Sequence, residues 1–179
     1  MAFTSTLTVL TALKDALEAI QWTPEGGDPE DAFQKVELFD IDDLATALKD
    51  LRTFKDRACF IIIDEERCTS EIVGQKMQSR QSRSIALLIT DRDYGKRAEA
   101  LIGDATRPGV LALKDLVLNP ASEVIGQILD GIAVMPATGA PIRITGEERD
   151  NMTGRLCYGQ DLEIRGGFIE VRLGPGPIL

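Results

Sequence analysis

Two acidic groups follow the two most apolar runs of the chain. Asp64-Glu65-Glu66 comes directly after ACFIII (58–63), and Asp91 and Asp93 close the run RSIALLIT (83–90) in the sequence ITDRD. Carboxylates at strand ends hold hard divalent cations such as Mg²⁺, and through them support hydrolysis or phosphoryl transfer. That chemistry needs Asp64, Asp91 and Asp93 at one edge of a sheet, hence parallel neighbouring strands. Antiparallel strands would separate them. Charged residues also end buried strands for no chemical reason. A phosphotransfer receiver would need alternating βα units and a lysine after a later strand, neither of which the sequence presents. A carboxylate-based divalent-metal enzyme or phosphotransfer domain using Asp64, Asp91 and Asp93 is therefore the alternative reading. The expectation is of no enzyme: no catalytic, cofactor-binding or metal-ligating set.

The chain has 179 residues, a net charge of −9 and no histidine. The missing histidine excludes Ser-His-Asp and Cys-His catalysis and removes the commonest zinc ligand. Cys59, Cys68 and Cys157 are scattered, with no CxxC pair, so neither a disulfide framework nor a metal knuckle is expected. Cys59 and Cys157 sit in apolar or alternating runs and read as small hydrophobes. Cys68 lies in polar surroundings beside Arg67 and reads as inert. Gly95, Gly103 and Gly109 form neither a dinucleotide fingerprint nor a phosphate loop. An acidic chain does not suit nucleic acid as a main ligand. The one basic stretch, KMQSRQSR (76–83), reads as a solvated face. With no signal-like N-terminus and no long apolar run, a reducing, cytoplasm-like setting without a membrane is expected.

Elements must position whatever the surface does. Leu7, Leu10, Leu13, Leu17 and Ile20 fall at helical spacing and predict a helix over 5–21, capped by Thr4 or Ser5. Trp22 beyond it reads as a core anchor. The polar stretch 23–32 reads as a loop, 33–39 as a strand, and 40–51 as a short helix. The runs 58–63 and 83–90 read as central strands buried on both faces. Between them, the polar segment 64–84 is an exposed hairpin arm, or an extension of both strands. Residues 95–103, 108–118 and 120–129 read as helices, the last ended by Gly131. One interrupted strand is expected over 132–144 around PATG, then a strand over 155–164 with Gly159 as a bulge. A turn at Gly166-Gly167 and a returning strand over 168–173 follow. Residues 174–179 read as a short tail. The order predicts a single α+β domain: a small α/β sandwich, its mixed, mostly antiparallel sheet carrying helices mainly on one face.

The helix 5–21, the segment VELFDIDDLATAL (36–48), the runs ACFIIIDEE and RSIALLITDR, the helix PGVLALKDLVL (108–118) and the pair RLCYGQDLEI and GGFIEVRLG together resemble the tail terminator (tail-completion) proteins of long-tailed bacteriophages and related prophage elements. The resemblance implies a structural virion protein, not an enzyme. Six copies would form a hexameric ring that caps the tail tube, ends its polymerisation and joins it to the head connector. The implied partners are further copies of the chain, the tail tube protein and the head-tail connector protein. DNA would pass through an acidic ring without specific binding. The implied place is the head-proximal end of the tail, after assembly in the bacterial cytoplasm. Residues 23–32, 64–84 and 144–155 are the expected contact segments, 64–84 and 144–155 foremost.

Overall fold

Ser5 sets the first helix. Its side chain accepts a hydrogen bond from Thr8 N, and α1 runs Thr6–Glu18. Val9, Leu10, Leu13 and Leu17 are buried along one stripe, while Leu7, expected in that stripe, is exposed in the first turn. These details come from a computed structural model that describes residues 4–39, 57–92, 96–142 and 155–172, the last five of them as backbone. The expected helix 40–51, Asp93, the loop 144–154 and the tail 174–179 lie outside the described residues.

A two-stranded ribbon, β1 (Gln21–Trp22) and β2 (Glu30–Asp31), closes the loop after α1. The main sheet contains β3 (Lys35–Phe39), β4 (Ala58–Val73), β5 (Lys76–Arg92), β6 (Gly126–Leu129), β7 (Ile132–Pro141) and β8 (Arg155–Arg172), in the order β3-β4-β5-β8-β7-β6. Among these described strands only β3 and β4 pair in parallel; the other four pairings are antiparallel. This is the mixed, mostly antiparallel α+β sheet the element order predicts. α1, α2 (Arg97–Ile102) and α3 (Gly109–Leu118) pack on one face, where Leu13, Leu17, Cys59, Ile61, Leu87, Ile89, Leu113 and Val117 share the principal core. Ala58, Phe60, Ile62, Leu88 and Cys157 form a smaller cluster to which no described helix contributes. Consecutive side chains alternate between faces, so runs such as ACFII are apolar because both faces are buried.

Several expectations are corrected. Residues 120–129 are helical only in their first three residues. A 3₁₀ turn over Pro120–Ser122 ends at Glu123, which takes a left-handed conformation, and β6 follows. Gly131 is thus the turn glycine of the β6–β7 hairpin rather than a helix terminator. Gly166-Gly167 is not a hairpin turn either. β8 runs on through it to Arg172, and the register against β5 slips there, between Arg80 and Ser82. A Cβ on Gly166 would lie 2.2 Å from the Gly131 carbonyl oxygen, so close passage of two backbones explains this glycine. Gly159 pairs regularly with Leu88 and Ala140; the irregularity of β7 lies between Pro136 and Gly139.

Candidate interaction surface and charged cleft

The segment 64–84 is both an extension of two strands and a hairpin arm. β4 and β5 stay paired from Ala58–Thr90 to Val73–Lys76, turning at Gly74, whose positive φ a glycine tolerates. β8 accompanies β5 along the same stretch, from Arg165–Ser82 to Arg172–Lys76. The arm is therefore three-stranded. Beyond the body it extends about 30 Å, taking roughly 3.3 Å per residue over Asp64 to Val73. Every residue of β4 from Ile63 to Val73 is exposed, and Ile72 at the tip is 71 % exposed.

Arg83 fixes the arm's root. It is the largest fully buried side chain among the described residues, at 1 % exposure. Its Nε donates to Thr6 Oγ1 at 3.0 Å and lies 3.3 Å from Glu66 Oε1, while Nη2 donates to Gln81 Oε1 at 2.9 Å. Thr6 Oγ1 in turn donates to Glu66 Oε1 at 3.0 Å. One guanidinium thus ties β4, β5 and the first turn of α1, and so sets the arm's direction. On the opposite face Glu65 meets Arg67 at 2.8 Å, and Glu163 meets Arg165 at 2.8 Å. These arginines hold both carboxyls below the ordinary range, chiefly through direct hydrogen bonds.

At the other end of the sheet lies a charged cleft of about 460 Å³, lined by Glu30, Arg57, Asp91, Glu99, Asp104 and Arg107 among others. Asp91 is fully buried. Its Oδ1 accepts from Arg107 Nη2 and from Arg92 N, each at 2.8 Å. Oδ2 has no partner among the described residues. Burial raises the Asp91 pKa above the carboxylate norm, against the pull of Arg107. Arg57, also buried, donates to Glu30 Oε1 at 2.8 Å and to the Asp31 carbonyl, and its guanidinium sits 5.7 Å from the Trp22 ring centroid. Trp22 is accordingly half-buried, packed against the principal core as expected, and carries a cation on its ring.

The antiparallel register decides the acidic pair. Asp64 follows Ile63, which pairs with Ile85, and Asp91 lies six residues beyond Ile85, about 20 Å away at roughly 3.4 Å per residue. Asp64 is exposed at the arm's root and Asp91 buried in the cleft, so the two do not meet. Among the described residues no three histidine, cysteine or acidic side chains converge as a metal would need. Cys59 and Cys157 are buried; desolvation raises both thiols, Cys157 to about 11. Cys68 is exposed on the arm. The basic stretch 76–83 forms the middle strand of the arm, with Arg83 turned into the core rather than solvated.

Neither Arg83 nor the Asp91–Arg107 pair follows from spacing alone. The one signal for Arg83 is its position, two residues ahead of Ile85 on the side of β5 that faces the helices. No family model matches the chain, and no curated protein is similar to it in sequence.

Proposed function

We propose that the chain is a structural subunit that works by self-association: a tail terminator, in which a ring of copies caps the tail tube of a long-tailed bacteriophage, ends its polymerisation and joins it to the head connector. The observation that carries the self-association is the three-stranded arm. A long extension with an exposed outer strand has no core of its own to fill, and exposed sheet edges pair with other chains. The tail context rests on the order and size of the elements. The excess of carboxylates suits a channel that DNA crosses without binding, since like charge repels the phosphate backbone.

Light scattering of the purified full chain, together with electron microscopy of tail tubes polymerised with and without it, tests the reading. The expected results are a closed oligomer and tubes of limited length that carry a cap at one end. A protein that stays monomeric at high concentration and leaves tube length unaltered would overturn it.

A further inference from the structure

The arm has two outer edges, and they are different. β3 pairs with β4 only up to Phe39–Ile62, so beyond the β4 irregularity no described strand covers Glu65–Val73 on that side. β7 pairs with β8 no farther than Ile132–Gly166, so no described strand covers 167–172 on the other side. β5 holds the two edges level: Thr69, Arg80 and Phe168 lie in one row, and Val73, Lys76 and Arg172 in another. From Glu65 to Val73 the ladder to β5 is regular and proline-free, so alternate backbone N–H and C=O groups point outward.

Building on the self-association reading, we propose that copies join through these edges, the outer edge of β4 (65–73) in one copy pairing in parallel with the outer edge of β8 (167–172) in the next. Direction permits it. β4 and β8 both run antiparallel to β5, so they run parallel to each other, and rotation of a copy about an axis along the arm preserves that sense. The contact joins two unlike surfaces, so it repeats from copy to copy and can close a ring. Charge selects it over a two-fold contact of β4 with β4. The edge 65–73 carries Glu65, Glu66 and Glu71 against Arg67, whereas the edge 167–172 carries one acid, Glu170, and one base, Arg172. A two-fold contact would set the acidic edge against itself, and like charges on facing strands are unfavourable. The β4–β8 contact instead sets the acidic edge against one with no net charge.

Cysteine cross-linking of the full chain tests this in a Cys68→Ser background, where the remaining Cys59 and Cys157 are buried. Thr69→Cys and Phe168→Cys, which lie in one row, are placed in separate preparations, mixed, and treated with a short bifunctional maleimide. The expected product links position 69 of one copy to position 168 of another, with neither variant linking to itself. In parallel, proline is placed at Thr69 and at Ser70 in turn. Neighbouring N–H groups point to opposite sides of a strand, so one of the two variants should lose the oligomer while melting as the parent does. An oligomer that links 69 to 69, or that forms no 69–168 link and survives both prolines, overturns the edge pairing and leaves self-association standing. A parent chain that is monomeric throughout overturns self-association itself, and the edge pairing with it.

Discussion

β4 and β5 are one continuous hairpin with two unlike halves. In the inner half, residues 58–62 and 85–90 are buried on both faces or nearly so, and their side chains meet α1, α3 and the smaller cluster on the far face. In the outer half the backbone ladder is unbroken, yet β4 is exposed at every residue. Hydrogen bonding alone therefore does not separate the halves; burial does. A two-stranded ribbon in water is marginal by itself. The outer half persists because β8 adds a third strand and because Arg83 fastens its root. The inner half holds the fold, and the outer half is a surface held out from it.

The strongest way to break this contrast is to cut into the inner half. Leu87 is fully buried in the principal core. Leu87→Ala removes its packing and leaves a cavity, for an expected loss of about 2–5 kcal/mol, read by chemical denaturation. A loss no larger than that of an arm substitution would mean that the two halves do not differ in the way described.

The next effect lies at the junction. Arg83→Ala empties a buried site and leaves Thr6 and Gln81 without their donor, at an expected cost of about 2–3 kcal/mol. Arg83→Met keeps the volume and should cost less than about 1.5 kcal/mol, since shape is preserved while the charge is removed. Amide exchange separates the two roles. Both variants should expose the arm amides from Glu66 to Gln81 more than those of Phe60 to Ile62. Equal protection in arm and body would show that Arg83 does not hold the root.

A smaller effect sits at the opposite end of the inner half. Burial holds the Asp91 carboxyl above its ordinary value. Over that interval the folded chain keeps a proton that the unfolded chain has already lost. The Asp91 contribution is therefore most favourable below the ordinary carboxylate pKa, about 3.9, and is lost as pH rises through the raised value. Glu65, Glu163 and Asp104 are lowered and act in the opposite sense, but they are exposed and their effects are screened. Asp91→Asn should thus flatten the decline in stability as pH rises from the ordinary carboxylate pKa through the raised value. A difference between parent and variant that does not change with pH would place the cost of Asp91 elsewhere.

The inner half is legible in the sequence because a short continuous apolar run between polar segments fits a strand buried on both faces and little else. Two such runs without an intervening helix also favour antiparallel pairing. The outer half is legible only as a choice between arm and strand extension, and it is both. Its polar alternation carries no burial pattern to fix a register. Gly166-Gly167 reads as a turn because paired glycines usually mark one, whereas here Gly166 makes room for the Gly131 carbonyl. Residues 120–129 read as a helix because Val124, Ile125, Ile128 and Leu129 keep helical spacing, whereas only Ile128 and Leu129 lie in the short edge strand β6. The Asp91–Arg107 pair spans a turn and a helix, a distance in sequence over which no spacing rule operates.

The smallest expected change in stability is at the arm's tip. Ile72 is 71 % exposed and Val73 53 % exposed, so Ile72→Ser removes almost no buried surface and should shift stability by no more than about 0.5 kcal/mol. An apolar pair at the end of a solvent-exposed extension contributes little to the isolated subunit. Its burial would come from another copy, where each apolar Å² removed from water is worth roughly 25 cal/mol. Ile72→Ser should therefore leave the melting curve in place and weaken association measured by light scattering across a dilution series. Unchanged melting with unchanged association would keep the two-halves contrast but move the contact from the tip toward the root, where Glu65, Arg67, Glu163 and Arg165 form the opposing charge pairs.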